Sequence, residues 1–287
     1  MKLIQAVDKY LENPYKIHTD THRGAFYPSS ASCKIKNVYG EECIIGGCLR
    51  SVYWKMKSVK PSNPMNARGA RITGVGKMVE RFEVEQYKQM GIWRGNNIKF
   101  FNEKYNISGE ADAIVWDKDR NALHGIEIKS GYDYKFRSEV IGSATRRGQP
   151  KMEHLLQTMI YVDYFKLPFN IIYIDRGNAA RAEYEITLNT DGTPSIDGNK
   201  LTNGLSIPRC LARLKELGDC LNDNTLPRRD FQLRYPVEKL QLLRDSRRLN
   251  KKDTEEFDKN KRLDIGDWHC SYCDYKDHCW GRDGKNE

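Results

Sequence analysis

Two short apolar segments, residues 111–116 and 122–128, flank the polar run Asp117-Lys118-Asp119-Arg120-Asn121. A polar run of this kind between apolar segments closes a β-hairpin. The hairpin constrains what lies around it, because side chains alternate between the two faces of a strand. Glu127 and Lys129 then share one face while Ile126 and Ile128 point into the core. Asp112 sits on the partner strand and, in a suitable register, reaches the same site.

Two carboxylates and a lysine converging at a strand end suit hydrolysis of a phosphodiester with a divalent metal. Carboxylate oxygens hold hard cations, and the ammonium supports the attacking water and the charge that develops on phosphate. A Glu-x-Lys pair alone is common on solvent-facing edge strands, so its context matters. Here Gly109-x-x-Asp112 leads into an apolar strand, a turn, and Ile126-Glu127-Ile128-Lys129-Ser130. That order resembles the core of the PD-(D/E)XK nuclease superfamily, with Asp112, Glu127 and Lys129 at the signature positions. The resemblance implies an α/β, restriction-endonuclease-like core, a mixed central sheet flanked by helices. It also implies that Asp112, Glu127 and the Ile128 carbonyl bind Mg²⁺ or Mn²⁺, and that Lys129 positions or activates water.

Residues 67–90 have helical periodicity, with Ile72, Val75, Val79 and Phe82 on one apolar stripe and Gly76, Glu80 and Glu83 at its margin. In RecB-type nucleases a helix ahead of the core strands carries Gly-x-x-x followed by His or Glu that reaches the metal. Gly76 and Glu80 match that spacing, with Glu where the iron–sulfur members more often have His. A solvent-exposed Glu80 is the alternative. Residues 151–165 predict a second helix, on which Gln157 and Tyr161 are four apart and share a face. Gln-x-x-x-Tyr after the Glu-x-Lys strand resembles the RecB-family helix whose side chains orient the substrate backbone.

Between the hairpin and that helix, residues 131–151 read as a loop, or partly one. Tyr132, Tyr134 and Phe136 are interleaved there with Lys135, Arg137, Arg146, Arg147 and Lys151. Cations for phosphates and aromatic faces for unpaired bases suit single-stranded nucleic acid, against the alternative of a solvated loop with a few buried rings. Residues 169–175 and 181–187 read as strands, 189–204 as an exposed polar excursion, 206–221 as a helix and 237–261 as one long charged helix.

The eight cysteines include Cys270-x-x-Cys273-x5-Cys279 close to the C-terminus. Thiolates at this spacing suit zinc or an iron–sulfur cluster, each of which wants a fourth ligand. Cys48, which opens a helical segment, and the local His269 and His278 are the candidates. One early cysteine and three late ones bracketing the nuclease motifs resemble the CRISPR-associated iron–sulfur exonucleases and the AddB-type nuclease domains. That likeness implies a [4Fe–4S] cluster on Cys48, Cys270, Cys273 and Cys279, with Zn²⁺ as the alternative. Cys33 and Cys43 read as ordinary thiols, and Cys210 and Cys220 as packing residues.

A net charge of +9 is compatible with a polyanionic partner. The resemblance implies DNA, single-stranded or with free ends, and leaves a homo-oligomer or a recombination- or CRISPR-type protein partner open. No apolar run nears the roughly 20 residues that span a bilayer, and the N-terminus breaks into charge too early for a secretory signal. The expectation is therefore a cytoplasmic protein of a bacterium or a phage-infected host, without a membrane partner. Its expected division is an N-terminal segment (1–65), a nuclease core (66–190) and a helical C-terminal region (191–287).

Overall fold

The computed structural model describes residues 3–12, 24–37, 40–143, 145–259, 261 and 263–281. The turn-former-rich residues 13–23 lie outside these. In chain order come α1 (Leu3–Leu11), β1 (Ser32–Lys36), β2 (Glu42–Gly46), α2 (Leu49–Met56), α3 (Ala67–Gln89), β3 (Trp93–Asn102), β4 (Ile107–Asp117) and β5 (Ala122–Gly131). They are followed by α4 (Met152–Phe165), β6 (Phe169–Asp175), β7 (Arg181–Leu188), β8 (Pro194–Ile196) and β9 (Asn199–Lys200). The last helices are α5 (Ile207–Asn222), α6 (Val237–Asp245), α7 (Lys251–Asp258), α8 (Trp268–Ser271) and α9 (Lys276–Trp280). The chain separates into two compact units, 1–47 with 65–225 and 48–64 with 226–287. The unit boundaries follow residues 47, 64 and 225, and residues 48–64 group with 226–287.

The first unit is built on a mixed seven-stranded sheet in the order β3-β4-β5-β6-β7-β8-β9, flanked by helices. Only β5 and β6 run parallel, joined across α4, and the other neighbours are antiparallel. A parallel pair needs a crossover, which helix α4 supplies. Leu155, Leu156, Gln157, Thr158, Met159, Ile160, Tyr161 and Val162 of α4 are all buried in succession. Such a run fits a helix covered on several sides, here by β6 and β7 and by the β1–β2 hairpin. Gly125 is required where β5 meets β6, because a Cβ there would lie 2.2 Å from the Phe169 ring.

Helix α3 covers the other face of the sheet and is capped by Asn66, whose side chain accepts from the Gly69 N–H at 3.0 Å. Its packed side differs from the expected stripe. Val84 is buried with Val79 and Tyr87 alongside, against Val115, Ile126 and Ile128, whereas Ile72, Val75 and Phe82 are exposed. The side that meets the sheet also carries Glu83, which is buried and pairs with Arg181 at 2.6 Å.

Two further expectations change. Residues 189–204 extend the sheet through β8 and β9, with Pro194 and Ser195 buried. In the second unit 237–261 is not one helix. α6 ends before Arg247, which has a left-handed φ of 56°, and Asn250 caps α7 by accepting from the Asp253 N–H at 2.9 Å. This unit packs around Leu49, Tyr53, Phe231, Leu240, Tyr275 and Trp280, all buried. Among the described residues no helix is long and apolar enough to cross a membrane.

Candidate active site

The hairpin register brings the predicted residues to a fork in the sheet. Pairing of β4 with β5 is regular from Asp117↔Ala122 to Ala113↔Ile126, so the next opposed positions are Asp112 and Glu127. At that step the ladder gives way to a side chain: Asp112 Oδ2 accepts the Ile128 N–H at 2.7 Å. Beyond it β5 continues on β6 alone, with Glu127 opposite Ile171 and Lys129 opposite Tyr173. Glu127 is 1% exposed, and its Oε1 takes an ion pair from the Lys129 ammonium.

Its second oxygen, Oε2, is buried and has no partner among the described residues. A buried carboxylate oxygen without a partner is costly, and the surroundings raise that cost. Burial, then the Asp112 charge, pushes Glu127 up to about 8 despite Lys129. Burial also lifts Asp112, against the pull of Lys129. Burial opposes the Lys129 ammonium, yet Glu127 and Asp112 outweigh it and hold its pKa above the usual lysine range.

Glu80 of α3 belongs to the same electrostatic group. Burial, followed by the charges of Asp112 and Glu110, pushes it up to about 7, with Lys129 opposing. The helix passes close to the end of β5 at Gly76, where a Cβ would lie 3.9 Å from Ser130 Oγ. Three carboxylates thus gather around Lys129, with Lys77 also acting on Glu80, a donor set of hard oxygens suited to a divalent cation. As the side chains stand, no three His, Cys, Asp or Glu groups among the described residues surround one point as a bound ion requires.

A pH dependence follows from these directions. Glu127 and Glu80 hold protons to higher pH in the folded chain than the ordinary value of 4.5. Between that value and about 8 the folded state therefore binds more protons than the unfolded state, and stability falls as pH rises. Melting in a chelator should show Tm dropping across this window, with Mn²⁺ restoring it at the alkaline end. A Tm that rises with pH would contradict the raised carboxylates.

Gln157 and Tyr161 share a face as expected, but they are turned inward. Gln157 Nε2 donates to the Tyr161 hydroxyl at 2.8 Å, and that hydroxyl donates to the Glu110 carbonyl at 3.1 Å. Tyr161 is 2% exposed, so it holds the strand two residues before Asp112. Tyr161→Phe should cost about 1 kcal/mol of stability and lower kcat with KM unchanged. A raised KM with kcat intact would place the hydroxyl on the substrate instead.

Glu110 and His154 were not anticipated. His154 Nδ1 lies 2.9 Å from the Tyr173 hydroxyl, and burial followed by Lys129 and Lys151 holds the ring down at about 3. Its position three residues before Gln157 on the same helix was the available signal.

The basic loop is divided. Residues 134–141 form a helical turn followed by a π-helical turn. Phe136 is buried against Tyr173, leaving Tyr132 and Tyr134 as the exposed rings. Arg137 is committed to an ion pair with the fully buried side chain of Asp175, so it belongs to the fold more than to a binding surface. Arg147 reaches Asp197 at 2.5 Å, Lys135 lies 4.0 Å from Glu139, Lys151 stands over the Phe136 ring, and Arg146 is exposed.

In the second unit Cys48, Cys270, Cys273 and Cys279 line one cavity. Cys48 directly precedes α2, Cys270 and Cys279 lie in α8 and α9, and Cys273 in the turn between them. Donors point at the sulfurs: Arg50 Nη1 lies 3.7 Å from Cys279 Sγ, and the Tyr275 N–H lies 3.4 Å from Cys273 Sγ. Burial pushes the Cys48 thiol up to about 11 and Cys270 up to about 12. His278 instead sets Nε2 2.9 Å from the Lys60 carbonyl, and His269 is stacked between Phe231 and Trp268. Cys33 and Cys210 are buried in the first unit.

No family model matches the chain, and no curated protein does. Among solved structures the chain is similar to one described as the crystal structure of SSO0001, at 16% identity, a TM-score of 0.46, and coverage of 95% of this chain and 93% of that one.

Proposed function

We propose that the chain is a metal-dependent deoxyribonuclease of the PD-(D/E)XK type, RecB-like branch, acting on single-stranded or free-ended DNA. The observation that carries this is the buried Glu127 Oε2, unpartnered among the described residues, beside Asp112, Glu80 and Lys129. Such a cluster of acids is stabilised by a cation. Asp112, Glu127, the Ile128 carbonyl and Glu80 are the groups that would hold Mg²⁺ or Mn²⁺. When bound, that ion would polarise the scissile phosphate and lower the pKa of a nearby water.

The chain's own groups do the remainder. Lys129 keeps its proton and supplies positive charge where phosphate charge develops. Asp112 is fixed by the Ile128 N–H, so its free oxygen has a defined direction. Tyr161 and Gln157 hold β4 through Glu110, which keeps the fork open. Residues 131–151 would supply the backbone-tracking surface, chiefly Lys135, Arg146, Arg147 and Lys151.

The four cysteines would hold a structural [4Fe–4S] cluster joining residues 48–64 to the C-terminal segment of the same unit. Donors aimed at sulfur suit thiolate ligands. Four thiols on one cavity match the ligand count of a [4Fe–4S] cluster, with Zn²⁺ on the same set as the alternative.

The test is incubation of anaerobically prepared protein with end-labelled single- and double-stranded DNA, with Mg²⁺, with Mn²⁺ and with a chelator. Cleavage that needs the metal is expected, and cleavage unaffected by the chelator would overturn the reading. Replacing Arg146 and Arg147 together with Ala should weaken DNA binding and reduce the slope of log K against log salt by about 1–2. An unchanged slope removes the loop from the binding surface.

A further inference from the structure

Helix α4 carries a stripe of polar side chains, His154, Gln157 and Tyr161, spaced three and four residues apart and so lying along one side of it. Tyr161 and Gln157 are spent on holding β4. His154, one turn nearer the start of the helix, meets the sheet at Tyr173 of β6. Tyr173 is the register partner of Lys129 on the parallel strand β5. Their side chains therefore leave the sheet on one face, from Cα atoms about 4.8 Å apart. The opposite face carries Ile126, Ile128, Ile172 and Ile174, packed against α3. His154 thus stands on the Glu127 and Lys129 side of the sheet, next to the lysine.

Tyr173 fixes the tautomer of that ring. Its hydroxyl accepts the Lys151 N–H at 3.1 Å and lies 2.9 Å from His154 Nδ1. Tyr173 is fully buried, so its own proton must find an acceptor inside the protein, and Nδ1 is the one within reach among the described residues. A proton on Nδ1 would leave the phenolic proton buried without an acceptor, which is the costlier arrangement. Nδ1 therefore accepts, and Nε2 carries the ring proton. Nε2 has no partner among the described residues, and unlike Glu127 Oε2 it is not enclosed. The half-buried ring thus presents one open N–H.

Burial first, then the Lys129 and Lys151 ammoniums, keep the imidazole neutral. With Nδ1 occupied and Nε2 protonated, the ring has no free lone pair with which to take a proton from water. It can only donate, and a donor flanked by two ammoniums suits an anionic oxygen. We propose that His154 Nε2–H donates a hydrogen bond to a non-bridging oxygen of the substrate phosphate that Lys129 faces. The proposal rests on the phosphodiester reading of this site. It adds to the mobile charge of the lysine a contact of fixed direction, held by Tyr173 and the Lys151 backbone.

Two substitutions and one spectrum, all on the full chain, test this. His154→Phe, which fills the place of the ring without an N–H, should lower metal-dependent kcat about 10²-fold and leave Mn²⁺ binding unchanged. His154→Gln, whose amide keeps an N–H near the Nε2 position, should recover most of that loss. Full activity in His154→Phe, or an equal loss in both variants, would overturn the proposal. Histidine ¹⁵N spectra of the unaltered chain in a chelator need neither a folded variant nor cleavage. They should show His154 protonated at Nε2, and a thymidine oligonucleotide should move Nε2 and leave Nδ1 nearly in place. A proton on Nδ1, or an Nε2 that the oligonucleotide does not move, would overturn the proposal whatever the cleavage assay gives. The expected spectra without cleavage in any chain would count against the nuclease reading and leave the phosphate contact standing.

Discussion

Lys129→Ala is expected to reduce metal-dependent cleavage by about 10²–10³-fold, the usual cost of removing one charged donor to a transition state. The fold should survive, for a reason specific to this site. Removing one member of a buried ion pair ordinarily strands its partner at a cost of about 3–5 kcal/mol. Glu127, however, already holds its proton up to about 8, so near neutrality it can stay protonated when the ammonium is gone. The loss should therefore appear in kcat, with the circular dichroism spectrum and DNA affinity close to those of the unaltered chain. Lys129→Gln, which keeps length and polarity, should be nearly as inactive. Full activity in either variant would remove the lysine from the chemistry.

The second large effect concerns the cysteines. Cys270→Ser together with Cys273→Ser takes away two of the four thiols lining one cavity. Anaerobically purified protein should be brown and carry about four irons per chain, and the double variant should lose both colour and iron. Its second unit should then unfold at lower temperature, since it buries few large apolar side chains and the cluster would bind Cys48 to the C-terminal segment. Colourless protein with stoichiometric zinc would contradict the cluster. Retention of iron in the double variant would move the ligands elsewhere.

What the sequence disclosed depended on whether local periodicity decided the outcome. The 111–128 hairpin was legible because a strand alternates strictly, so Asp112, Glu127 and Lys129 had to share a face once the turn was placed. Helix α4 was legible because its apolar residues run over two turns. The facing of α3 was not: its apolar stripe is real, but the side that meets the sheet carries Val84 and the buried Glu83, whose partner Arg181 is 98 positions away. The same kind of distant pairing took Arg137 out of the basic surface, through Asp175. The break between α6 and α7 turns on a left-handed Arg247, which no residue type announces, although Asn250 three residues on is of a type that starts helices. Gln157 and Tyr161 were correctly placed on one face, yet only the Glu110 carbonyl shows which way they point.

The central claim is that Asp112 and Glu127 grip a divalent ion at the fork of β4 and β5. The most direct measurement is an electron paramagnetic resonance titration of Mn²⁺ into the unaltered chain, Asp112→Asn and Glu127→Gln. The account predicts tight Mn²⁺ binding in the unaltered chain that tightens further as pH rises through about 8 and is lost in both variants. Equal binding in all three proteins would contradict it.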